Sequence, residues 1–62
     1  MTHTEQLDTL THRFPDAASI LKVDGNWEVT EIIGDISEER DLYRYDSASN
    51  KFKFIGHISV EI

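Results

Sequence analysis

Sixty-two residues, 39% of them apolar, carry 12 acidic against 6 basic side chains, a formal charge of −6 with the three histidines neutral. That balance is too apolar for a disordered chain and too small for more than one domain. The lack of cysteine excludes disulfides, thiolate metal sites and cysteine nucleophiles. Apolar runs never exceed three residues, far short of a membrane span. The polar N-terminus does not read as a signal peptide, so a cytoplasmic location is the expectation. A chain this short buries only about 60% of its unfolded surface, which makes self-association or a protein partner an expected supplement to its core.

Thr2-His3-Thr4-Glu5 has the spacing of a capping box, with the Thr2 hydroxyl accepting from the Glu5 amide and the Glu5 carboxylate from the Thr2 amide. Leu7, Leu10 and Phe14 then recur at i, i+3 and i+7, the apolar stripe of an amphipathic helix. His12 and Arg13 suit the carbonyl end of its dipole. Phe14 precedes Pro15 and is pushed out of α geometry, so the helix is predicted to end near Arg13. Pro15 to Ala18 reads either as a second helical turn or as a plain connection.

From Ser19 the period becomes two. Asp24-Gly25 signals a hairpin, because both central residues of a type I′ turn need positive φ. A two-residue loop pairs Lys22 with Trp27 and Ile20 with Val29; a bulged three-residue loop pairs Leu21 with Trp27. The next strand, Asn26 to Ile33, carries Trp27, Val29 and Ile33 on one face with Glu31 among them, and Gly34-Asp35 ends it. Ser37 to Arg40 reads as a polar connection. Strands are then expected over Asp41 to Tyr45 and Phe52 to Ile62, joined by the loop Ser47 to Asn50. In that register Tyr45 faces Phe52, Tyr43 faces Phe54 and Asp46 faces Lys51, gathering four aromatics on one face. Period two adds Ile58, Val60 and Ile62 to the same face as Phe52 and Phe54. Gly56 is the expected place for a bulge or bend that divides the long stretch. Without such a bend the strand overhangs the domain and offers an edge to another chain.

The fold expected is α+β: an N-terminal amphipathic helix packed on a four- or five-stranded antiparallel β-meander, with a small closed barrel as the alternative. The tract Asp41 to Asp46 followed by Asn50 to Phe54 resembles strands of repeat modules such as kelch blades, and as one copy implies no function here.

Chemistry-bearing patterns are sparse. His3 and His12 stand nine residues apart, about 900° around a helix and hence on opposite sides, and His57 falls alone on a polar strand face. No zinc-ligand spacing, nucleophile elbow or glycine-rich phosphate loop is present. No catalytic residue, metal or cofactor is therefore assigned. Carboxylate pairs such as Glu28 with Glu31 and Glu38 with Glu39 read as solvated charges.

Charge is the more informative feature. Residues 1–39 hold nine acids and two bases, a net of −7, and residues 40–62 hold four bases and three acids, a net of +1. Arg40, Arg44, Lys51 and Lys53 share one face of the last hairpin, with Arg44 opposite Lys53, a like-charge pair that Asp46 or a partner would relieve. The rings of Tyr43, Tyr45, Phe52 and Phe54 point to the other face.

The leading expectation is a non-enzymatic protein-interaction module, a small regulatory or accessory protein acting as a homodimer through the strand bearing Ile58, Val60 and Ile62. One alternative is single-stranded nucleic-acid binding by Arg40, Arg44, Lys51 and Lys53 with Tyr43 and Tyr45 as stacking platforms. The charge of −6 opposes that reading, since affinity depends on neutralising phosphates. Another is an acidic mimic that occupies a basic groove on a partner.

Overall fold

A computed structural model describes residues 1–61; Ile62, assigned above to the last strand, lies outside the described residues. The chain forms α1 (His3–Arg13), β1 (Ser19–Val23), β2 (Asn26–Ile33), β3 (Ser37–Asp46) and β4 (Lys51–Glu61). The strands make one antiparallel sheet in the order β1-β2-β3-β4, an open meander with edges at β1 and β4 rather than a closed barrel. One helix on a four-stranded sheet is the α+β arrangement expected. No described helix is long and apolar enough to cross a membrane.

The local chemistry of each element is the one its residues specify. Thr2 Oγ1 accepts from the Glu5 amide at 3.2 Å and Glu5 Oε1 accepts from the Thr2 amide at 3.0 Å, closing the capping box. These contacts hold the Glu5 carboxyl below its ordinary pKa, the Thr2 backbone hydrogen bond being the largest cause. Thr9 and Thr11, poor helix formers, satisfy their hydroxyls on the carbonyls of Glu5 and Leu7, in a helix that runs unbroken to Arg13. Phe14 caps the end through its amide to the Leu10 carbonyl. Pro15 to Ala18 is a plain connection, tied to β2 by the Ala18 amide on the Thr30 carbonyl at 2.7 Å.

Asp24 and Gly25 take φ of 50° and 82° and close a two-residue turn. The register is therefore Lys22 opposite Trp27 and Ile20 opposite Val29. The last hairpin also has the expected register, with Tyr45 opposite Phe52, Tyr43 opposite Phe54 and Asp46 opposite Lys51. Its loop is stabilised by Asp46, which accepts from the Ala48 amide and the Ser49 hydroxyl.

Two expectations are corrected. Ser37 to Arg40 is not a connection but the first four residues of β3, which pair with β2 and β4 on both sides. Gly34, at φ 58°, turns the chain fast enough that pairing resumes three residues later, and neighbouring strands satisfy the backbone of these polar residues. Second, β4 is not divided, although a bulge does fall beside Gly56. The register slips between Leu42 and Tyr43, so that Gly56 faces Leu42, Phe54 faces Tyr43, and Ile55 is the extra residue of a β-bulge. One extra residue inverts every side chain beyond it. Ile58 and Val60 therefore stand on the face opposite Phe52 and Phe54, and His57 and Ser59 replace them on the helix side.

The core is small. Leu10, Trp27, Val29 and Tyr43 are buried, with Leu7, Phe14, Ala17, Ile20 and Phe52 packed around them. Gln6 is also buried, and its Oε1 accepts from the Trp27 indole N–H at 2.9 Å. The indole thus enters the core with its single polar atom satisfied. Phe14 meets Tyr43 at a tilt and Tyr43 meets Phe54 edge-on, at centroid distances of 5.6 and 5.7 Å.

Candidate interaction surface

The helix is too short for the sheet it covers. Eleven helical residues span about 17 Å, whereas eleven strand residues span about 36 Å, close to the 38 Å length of the molecule. The radius of gyration, 11.9 Å, exceeds the roughly 10.6 Å of a compact chain of this length. The helix lies over the turn end of the last hairpin, where Phe14 meets Tyr43 and the N-terminal amine lies 3.3 Å from the Tyr45 hydroxyl. The far end of the same face, carrying Glu31, Glu39, Asp41, His57 and Ser59, has no helix above it.

That far end is organised around His57. Its Nδ1 lies 2.6 Å from Asp41 Oδ1, the ring N–H donating to the carboxylate, and Nε2 lies 3.8 Å from Glu39 Oε2. The hydrogen bond to Asp41, then the charges of Asp41 and Glu39, raise the His57 pKa above its ordinary value. His57 was expected to stand alone on a polar strand face; the bulge instead turns it toward the two acids. His3 remains at the surface, its ring 5.0 Å from the Trp27 ring, and His12 Nδ1 contacts the Asp8 carbonyl. No group of three or more His, Asp or Glu side chains among the described residues is arranged to hold a metal ion.

No helix among the described residues lies over the opposite face of the sheet, where neighbouring side chains alone shield the buried Thr30. Arg40, Arg44, Lys51 and Lys53 stand on it, as expected, but not as a free basic patch. Arg40 Nη1 and Nη2 reach Glu28 at 3.9 Å and Glu38 at 3.3 Å, and its Nε has no hydrogen-bond partner. Lys53 Nζ lies 3.5 Å from Asp46, relieving its juxtaposition with Arg44. Asp46 is held below its ordinary pKa, first by the Ser49 hydroxyl and Ala48 amide and then by Lys53. The acidic and basic segments of the sequence are thus interleaved across the sheet rather than separated in space.

Between these charges lie apolar side chains. Leu21, Ile32, Ile58 and Val60 are 58%, 55%, 44% and 40% exposed. Strand pairing places Ile32 and Val60 on either side of Glu38, and Ile58 beside Arg40. Tyr43 is buried, and desolvation followed by the Asp41 charge raises its pKa. Tyr45 is half-buried against Phe52, on the far side of the sheet from Arg44, Lys51 and Lys53.

The apolar character of the uncovered face was not legible as such, because period two carried through the bulge assigns Ile58 and Val60 to the core side. The partner of Trp27 was missed too. Gln6 stands four residues before Leu10 and hence on the same helical stripe, which is the signal that could have found it. Comparison with protein-family models, with curated proteins and with solved structures finds no match to this chain.

Proposed function

We propose that this chain is a non-enzymatic protein-interaction module, a small regulatory or accessory protein that acts as a homodimer. The observation that carries the reading is an imbalance of burial. Among the described residues four hydrophobic side chains are buried, whereas ten large ones are at least 40% exposed. Four of the ten, Leu21, Ile32, Ile58 and Val60, share the open face of the sheet, and apolar side chains gathered on one exposed face favour an association surface. A second copy is the partner that the concentration of the protein itself supplies, and it stabilises the folded chain by mass action.

The test is sedimentation over a wide concentration range. The reading expects a reversible rise from monomer to dimer mass, together with a melting temperature that climbs with concentration. A strict monomer at the highest concentration, with a melting temperature independent of concentration, overturns it.

A further inference from the structure

The sheet has two edges, and they are not equally protected. β1 is five residues long, and shortness is itself a defence against edge-to-edge pairing. β4 is eleven residues long, and its first half carries two further defences, the lysines at 51 and 53 and the bulge at Ile55. The second half, His57 to Glu61, carries neither. Its outer edge presents backbone N–H and C=O groups to no other strand of the sheet.

We infer that β4 pairs antiparallel with β4 of a second copy about a two-fold axis at Ser59, joining two four-stranded sheets into one of eight strands. This assignment rests on the homodimer reading and supplies its interface. The register follows from the side chains. With Ser59 on the axis, His57 faces Glu61 of the second copy and Ile58 faces its Val60, each pair occurring twice. His57, Ser59 and Glu61 share the helix-side face, and Ile58 and Val60 share the open face, so each cross-strand pair lies on one side of the joined sheet. Opposite charges meet opposite charges and β-branched side chains meet each other, the pairings that stabilise antiparallel ladders.

Shifting the axis to Ile58 sets His57 against Ser59, Val60 against Gly56 and Glu61 against the bulged Ile55, losing both complementarities. Pairing through the other half of β4 brings Lys51 and Lys53 of the two copies together. The groups facing His57 within its own chain are Asp41 and Glu39 from β3; Glu61 of the second copy adds a third acid from the other side. On the open face the Ile58 and Val60 pairs extend the row that Ile32 begins. A five-residue ladder is small beside the roughly 1,200–2,000 Å² of a standard stable interface, so the dimer is reversible and concentration-dependent.

The absence of cysteine makes the register directly testable. In Ser59→Cys the only two thiols of the dimer face each other across the axis, within the separation a disulfide accepts. Mild oxidation is expected to yield covalent dimer at least about tenfold faster than for Ser47→Cys, at the far end of the molecule, because a preformed pair raises the local thiol concentration. Mixed His57→Cys and Glu61→Cys chains are expected to form the heterodimer disulfide in preference to either homodimer. If the wild type sediments as a dimer but Ser59→Cys oxidises no faster than Ser47→Cys, the edge pairing is overturned and the homodimer reading survives. If the wild type is a strict monomer, both are overturned.

Discussion

The two halves of the β3–β4 hairpin lie on either side of one bulge and are stabilised in different ways. At the turn end, α1 covers Trp27, Val29 and Tyr43, and the indole N–H is satisfied by Gln6. At the far end no element lies over the sheet, and one face carries a His57–Asp41–Glu39 cluster while the other carries Ile32, Ile58 and Val60 among ion pairs. The first half is held by hydrophobic burial, which scales with area removed from water. The second is held by backbone pairing and partly exposed charges, which contribute little each. The comparison teaches that a 62-residue chain can form a sheet longer than its core, and that the surplus sheet is where apolar surface remains available.

Substitutions in the two halves should differ most. Leu10→Ala removes a fully buried side chain and is expected to cost about 2–5 kcal/mol, a large share of the roughly 3–9 kcal/mol available to a domain of this length. Ile32→Ala, on the open face, is expected to stay within about 0.5 kcal/mol. Urea denaturation at low protein concentration measures both, and equal losses would mean that the far end is covered in solution.

Gln6→Leu tests the polar part of the covered half. It leaves the Trp27 N–H buried without an acceptor, at a cost of about 1–3 kcal/mol, visible as a lower urea midpoint and a shift in tryptophan emission. An unchanged midpoint would show that water reaches the indole. Thr2→Ala, which removes the capping hydroxyl at the start of the covering helix, is expected to cost about 1 kcal/mol, read by thermal unfolding followed by circular dichroism.

The smallest effect belongs to the uncovered half. His57 has a folded pKa above its unfolded one, so its contribution to stability is complete below the unfolded value of about 6.5 and disappears as pH rises through the folded value. Wild type is therefore expected to exceed His57→Gln in stability at mildly acidic pH and to converge with it in alkali. An NMR titration of the ring gives the folded pKa directly, and a value at or below 6.5 would break the Asp41 contact.

Much of this fold could be read from residue order because its determinants are local. Thr2 and Glu5 are one helical turn apart, Asp24-Gly25 marks a tight hairpin turn while leaving two registers open, and the register of Tyr43 to Phe54 follows from matching aromatics across a four-residue loop. The start of β3 and the orientation of Ile58 and Val60 were illegible, since both depend on neighbours. Polar residues 37–40 become strand because β2 and β4 lie on either side of them, and although Gly56 marked the place of a bulge, the way Ile58 and Val60 turn beyond it depends on how β4 pairs with β3.

By itself, then, the sequence determined an N-terminal helix followed by an antiparallel meander of four or five strands, the places of its hairpin turns and the aromatic pairing that anchors the last hairpin. Those features are set by interactions within a few residues, or by side chains that match in only one register. The tertiary structure alone decided where the chain's charges meet and which face carries its surplus apolar surface. The physical reason is the period of the strand: one unpaired residue reverses every side chain that follows, and only the packed sheet shows where that residue falls.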